Sequence, residues 1–203
     1  ERRARSYLHV NCAHCHRFGG GGGQVVLELE LSKPLPQTGI YNERPRQGDF
    51  GLADARILAP GEPGRSVLLY RVAKFGRGRM PHWGSEWPDR AAVELLCDWI
   101  CSLGQQSPLT PDREWKDLDR KLRHFPAVLR LLRGPHTPEE WQRLLTAAQR
   151  LEPGPMRDLF EGYFPPDPQG RKLGPNPKPQ TILTLQGDPQ RGQVLFRSSE
   201  LKC

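Results

Sequence analysis

Five adjacent residues carry the clearest chemistry in the chain: Cys12-Ala13-His14-Cys15-His16. A CxxCH run is the attachment signature of c-type haem. Two thiols three positions apart on a helical turn can both add to the vinyl groups of one porphyrin. The residue after the second thiol, His16, is then placed to give the iron its proximal imidazole.

Such an iron needs a distal ligand or a deliberately open face. The chain has two methionines, Met80 and Met156. Met80 lies in Gly78-Arg79-Met80-Pro81, between two helical stretches, where a thioether can close the distal side. Met/His ligation raises the reduction potential. Met156 reads as a packing residue, and His82 is the rival distal ligand. His9 and His14 read as exposed or pocket-wall residues, His124 and His136 as surface residues. Between Arg65 and Arg79 stand five bases (Arg65, Arg71, Lys74, Arg77, Arg79) and no acid. One arginine, with Arg79 as the cofactor-binding candidate, would pair with a propionate, and the others would ring the exposed edge for docking. The alternative is a solvated helix face. Trp83 and Trp87 would wall the cofactor or simply pack the loop. The main rival to haem is zinc: Cys97 and Cys101 could join Cys12 and Cys15 as a four-cysteine site. The bland reading of Cys97 and Cys101 is two small hydrophobes buried in an apolar helix.

The elements that must position these groups are mostly helical. Residues 2–12 suit a short helix leading into the first thiol. The five glycines Gly19–Gly23 read as a loop that lets backbone pass close to something bulky. Residues 24–31 alternate Leu with Glu, the pattern of a half-buried strand. Ser66 would cap a helix from Val67 to Phe75. Pro88 and Asp89 open another, stopped near Leu103 by Gly104. Residues 112–133 read as an amphipathic helix broken at Pro126. Thr137-Pro-Glu-Glu140 is a capping box that starts a helix to about Leu151, and 154–163 suits a short third. Residues 165–179 hold six prolines and read as an extended linker.

Composition sets the outer bounds. The 203 residues are 36% apolar, with 21 Gly and 21 Pro, enough for a modest core among many loops. No run approaches the roughly 18 apolar residues that cross a membrane. The net charge is +7 but dispersed, with no nucleic-acid motif. Residue 1 is Glu and residue 203 a Cys that would open a fresh motif, so further chain is expected on both sides.

The order of helix, CxxCH, loop, Met-Pro loop and helix resembles a class I cytochrome c. More narrowly, the Ala4–Gly21 run through CxxCH, Ala55-Arg-Ile-Leu-Ala-Pro-Gly61 and Gly76-Arg-Gly-Arg-Met-Pro-His82 are similar to PVC-type haem-binding CxxCH proteins. These are exported bacterial cytochromes, often fused to dehydrogenase-like or helical-repeat domains. The resemblance implies covalent haem c on Cys12 and Cys15, with His16 and Met80 as axial ligands. It also implies an aromatic contact between the first and last helices, with Tyr7 and Trp99 as candidates. It further implies electron transfer in a periplasmic or other extracytoplasmic compartment, with a redox partner protein or a fused dehydrogenase. The expected fold is mainly α: a cytochrome c domain over 1–104 with a small β insertion, then a helical spacer and Pro-rich linker over 105–185. Residues 186–203 would start a second cytochrome domain whose CxxCH begins at Cys203. Two other functions stay open, a haem domain of a multihaem, dehydrogenase-linked or peroxidase-like oxidoreductase and a zinc-stapled interaction module.

Overall fold

The computed structural model describes residues 1–22, 25–82, 85–112, 114–165 and 186–197. The chain divides into two compact units, Glu1–Pro165 and Pro166–Cys203. The architecture is mainly α. The first unit holds α1 (Arg2–Cys12), α2 (Val67–Ala73), α3 (Arg90–Leu103), α4 (Leu118–Lys121), α5 (Phe125–Leu132) and α6 (Pro138–Gln149). In the second unit the described element is α7 (Pro189–Arg197).

Helix α1 forms because Ala4, Leu8 and Cys12, spaced four apart, make one apolar row that is buried. That row packs on α3, which also packs on α2. From α3 the core receives Ala92, Leu96, Cys97, Trp99 and Ile100. Arg5, also buried, turns its guanidinium onto the carbonyls of Glu30 and Lys33, so α1 carries the 30–33 loop with it. Asp89 caps α3 by accepting from the Ala92 N–H at 3.0 Å. The Thr137 capping box of α6 has both of its hydrogen bonds, Glu140 N–H to Thr137 Oγ1 at 3.2 Å and Thr137 N–H to Glu140 Oε2 at 2.9 Å.

Four expectations need correction. The β insertion is not there: among the described residues no strand forms, and 25–30 are irregular, with a turn beginning at Leu31. Its amides go to separate places instead, Leu27 N–H to Val25 O, Glu28 N–H to Thr38 O, Leu29 N–H to His16 O and Leu31 N–H to His9 Nδ1. A ladder needs one edge, and this segment bridges several. Ser66 precedes α2 without capping it, because its hydroxyl donates to Glu62 O and accepts from Ala59 N–H. The broken helix of 112–133 is two helices, with Pro126 in the first turn of α5, where a missing N–H costs nothing. The stretch 154–163 forms 3-10 turns at Arg157–Leu159 and Glu161–Tyr163 rather than a helix.

The division between compact units falls at 165/166, not after Gly104. Residues 105–165 pack back on α2 and α3. Phe125 meets the Tyr70 ring edge-on at 5.3 Å, the Tyr70 hydroxyl donates to Pro155 O at 2.7 Å, and Arg133 pairs with Asp98 at 2.7 Å. Gly104 ends α3 with φ −100°, so a left-handed cap is not why it is glycine. A Cβ there would run into the Gly61 backbone, and Gln105 (φ +58°) makes the left-handed turn. The proline-rich segment expected over 165–179 and Cys203 lie outside the described residues, save Pro165 itself.

Candidate functional site

The CxxCH segment is the continuation of α1. Cys12 is the last helical residue and buried, while Cys15 and His16 are half-buried and His14 is exposed. The turn closes tightly: Cys15 N–H and His16 N–H both donate to Cys12 O, at 3.1 and 2.8 Å. The helix thus points the first thiol inward and carries the second thiol and the imidazole about one turn further on.

The glycine run folds onto this turn. Gly22 N–H donates to Cys15 O at 2.9 Å. A Cβ on Gly22 would lie 2.6 Å from Cys15 O and 2.7 Å from His16 Nδ1. The bulky neighbour that requires glycine here is the CxxCH turn itself. Gly23 lies outside the described residues.

Burial and nearby positive charge dominate the electrostatics. The His16 imidazole is held below its ordinary pKa, first by burial and then by Arg71, His14 and His82. Its Nδ1 is buried without a hydrogen-bond partner. The Cys12 thiol is pushed up to about 11 by burial and by Cys15 beside it. Tyr7 is pushed up to about 12 by burial, Asp89 and Cys12, against a lowering influence of Arg79.

Arg71 links the CxxCH turn to the Met80 loop. Its carbonyl accepts from Met80 N–H at 2.9 Å, and its guanidinium donates to Gly78 O at 2.8 Å and Gln47 O at 2.9 Å. The same guanidinium lies 4.6 Å over the Phe50 ring. Met80 itself is half-buried on this loop, and its neighbours Arg71 and His82 help to hold the His16 pKa down.

The basic stretch is largely tied up inside the protein. Arg65 bonds Glu62 and Asp54 O. Lys74 is buried on Phe75 O, Arg77 O and Asp158. Arg79 holds the next loop, donating to Pro81 O and Ser85 O through Nη1 and to Ser85 Oγ and Trp87 O through Nη2. Its Nε stays buried and unpartnered. Arg77 is exposed. A docking ring of five bases is therefore not what these residues form, which neither spacing nor charge could reveal.

Trp99 is buried in the core between α1 and α3 with its Nε1 unpartnered, and Tyr7 packs against that core. Trp87 is half-exposed and stacks in a ring cluster, and Trp83 lies outside the described residues. His124 is exposed as expected. His136 is not a surface residue, being half-buried between Trp115 and Trp141. Cys97 and Cys101 are both buried. The Cys97 thiol is pushed up to about 12, mainly by burial. The described residues bring no three His, Cys, Asp or Glu side chains into a group able to hold a metal ion. The four-cysteine zinc arrangement is therefore not assembled.

The residues present fit a covalently attached haem by the chemistry of the donor set and by His16. Two thiols and an imidazole leave one helix end, and the imidazole has a buried nitrogen without a hydrogen-bond partner. No protein-family model, no curated protein and no solved structure matches this chain.

Proposed function

We propose that the chain is a c-type cytochrome whose first 104 residues carry one electron at a time on a covalently bound haem, in a class I-like arrangement. The observation that carries this reading is the CxxCH turn at the end of α1, closed on Cys12 O and covered by Gly22. Cys12 and Cys15 would hold the porphyrin, His16 and Met80 the iron. The group would supply a one-electron couple between ferric and ferrous iron. The protein's part is to bias that site positively: Arg71 lowers the His16 pKa through its charge, and positive charge favours the reduced state. Tyr7 and Trp99 line the core that α1 and α3 share.

The compartment would be extracytoplasmic, where haem is attached to CxxCH segments. The partner would be a separate redox protein, a fused dehydrogenase, or a second haem domain starting at Cys203.

The test is to produce the chain in a host with haem-attachment machinery, denature it in alkaline pyridine and record the spectrum. Retained haem with a c-type spectrum, lost in Cys12→Ala/Cys15→Ala, is expected. A colourless protein from a competent host overturns the reading. A sulfur-to-iron charge-transfer band in the ferric protein, lost in Met80→Ala, is expected for Met80 as distal ligand. A spectrum and potential unchanged in Met80→Ala would instead favour the oxidoreductase reading, with an open or His82-ligated iron.

A further inference from the structure

We propose that residues 155–164, far along the chain from the CxxCH turn, form a clamp that positions the Met80 loop, with Asp158 as its key positioning residue. The functional half of this proposal rests on the haem reading above; the mechanical half does not.

Both ends of the loop are gripped by this one segment. At the start of the loop, Phe75 N–H donates to Asp158 O at 2.9 Å. The Asp158 carboxylate takes the Lys74 ammonium at 2.9 Å. That ammonium also donates to Phe75 O and Arg77 O, at 2.7 and 2.6 Å. Lys74 is only 1% exposed, so its charge depends on these three partners. At the far end, Trp87 meets the Tyr163 ring at 5.4 Å, and Tyr163 also meets Phe75 at 5.1 Å. Phe75 and Trp87 touch edge-on at 5.4 Å, which closes the loop into a ring of three aromatics. Gly162 lies against Phe75 so closely that a Cβ would strike its ring.

The clamp has its own footing. Arg157 donates to Gln149 O and Leu151 O at the end of α6, at 2.8 and 2.7 Å. Tyr163 stacks edge-on with Trp141 of α6 at 5.0 Å. Arg79 stiffens 81–87 from within, and Arg71 O holds Met80 N–H. A strain applied at Asp158 therefore reaches Met80 through Lys74, Phe75 and the short backbone between them. The part of the chain that sequence reads as a spacer thereby sets where the thioether stands.

The experiment uses the full chain, haem-loaded and haem-free, with Asp158→Asn, Asp158→Glu, Gly162→Ala and, as a control outside the clamp and its footing on α6, Asp112→Asn, which loses an ion pair with Lys121. Amide hydrogen exchange at Phe75 and Met80 is read in both forms. The ferric charge-transfer band and the reduction potential are read in the loaded form. Asp158→Asn and Gly162→Ala are expected to speed exchange at both amides at least tenfold and to weaken the band, with Asp158→Glu restoring both. Asp112→Asn is expected to leave Met80 exchange unchanged. Unchanged Met80 exchange in folded Asp158→Asn overturns the clamp, as does an equal effect of Asp112→Asn. Faster exchange with an unmoved band and potential overturns its action on the iron. If the chain takes no haem, the haem reading falls, and the exchange data still decide the clamp.

Discussion

His16 is an imidazole kept neutral by its surroundings. Burial leads, and Arg71, His14 and His82 add like charge. In the unfolded chain it regains an ordinary pKa near 6.5. As pH falls below about 6.5 the unfolded state takes up a proton that the folded state refuses, so stability falls with pH. Urea midpoints of the haem-free protein at pH 7.5 and pH 5 should show this decline, and His16→Gln should make it shallower. An equal decline in the variant would mean the imidazole is not the group responsible. The motif itself was readable because its chemistry is local: two thiols and a histidine at fixed spacing. Lys74 shows the opposite case. Nothing near it in sequence announces that its ammonium is buried, since its acidic partner is Asp158. Arg79 was likewise placed beside the cofactor by proximity to Met80, while most of its donors hold the 81–87 loop.

The helices were legible where a cap coincides with an apolar row. Asp89 with α3 and Thr137 with α6 are such places. Gly104 was legible as a stop but for the wrong reason, because its close approach to Gly61 links residues 43 apart in sequence. Gly104→Ala should accordingly cost about 1–3 kcal/mol through overpacking. Thr137→Ala should cost about 1 kcal/mol through loss of one cap. Urea unfolding of the two variants checks the order; a Gly104→Ala protein as stable as the parent would show that the two backbones can part freely. The alternation at 24–31 misled because a period of two does not by itself supply a partner strand. Leu29 is buried while Leu31 is exposed, and the neighbouring amides reach Thr38, His16 and His9. Backbone that stitches three segments together has the sequence of a strand without its ladder.

At the scale of the whole unit, residues 1–165 should unfold as one. The contacts across residue 104 include the Lys74–Asp158 and Arg133–Asp98 pairs, the Tyr70–Phe125 rings and the Arg90 guanidinium, which donates to Leu132 O and lies over Trp141. Calorimetry should give a single transition with equal calorimetric and van't Hoff enthalpies. Ending the chain after Gly104 removes the Asp158 carboxylate and uncovers Lys74 and the Tyr70 ring, so the shortened chain should melt at a lower temperature than the intact unit. Two separate transitions in the intact unit would show the boundary read from sequence to be real. That boundary was drawn where composition changes, and composition does not register which surfaces are shared.

The seam also imposes an order of events on a chain made from its N-terminus. The Tyr70 hydroxyl and its acceptor Pro155 O are 85 residues apart. While the ribosome adds those residues, the CxxCH turn and its glycine cover are already out, and the Met80 loop has no clamp to settle against. The nascent protein thus passes through an interval in which its attachment cysteines are presented and its distal side is still open. The arrival of residues 155–164 then shuts it.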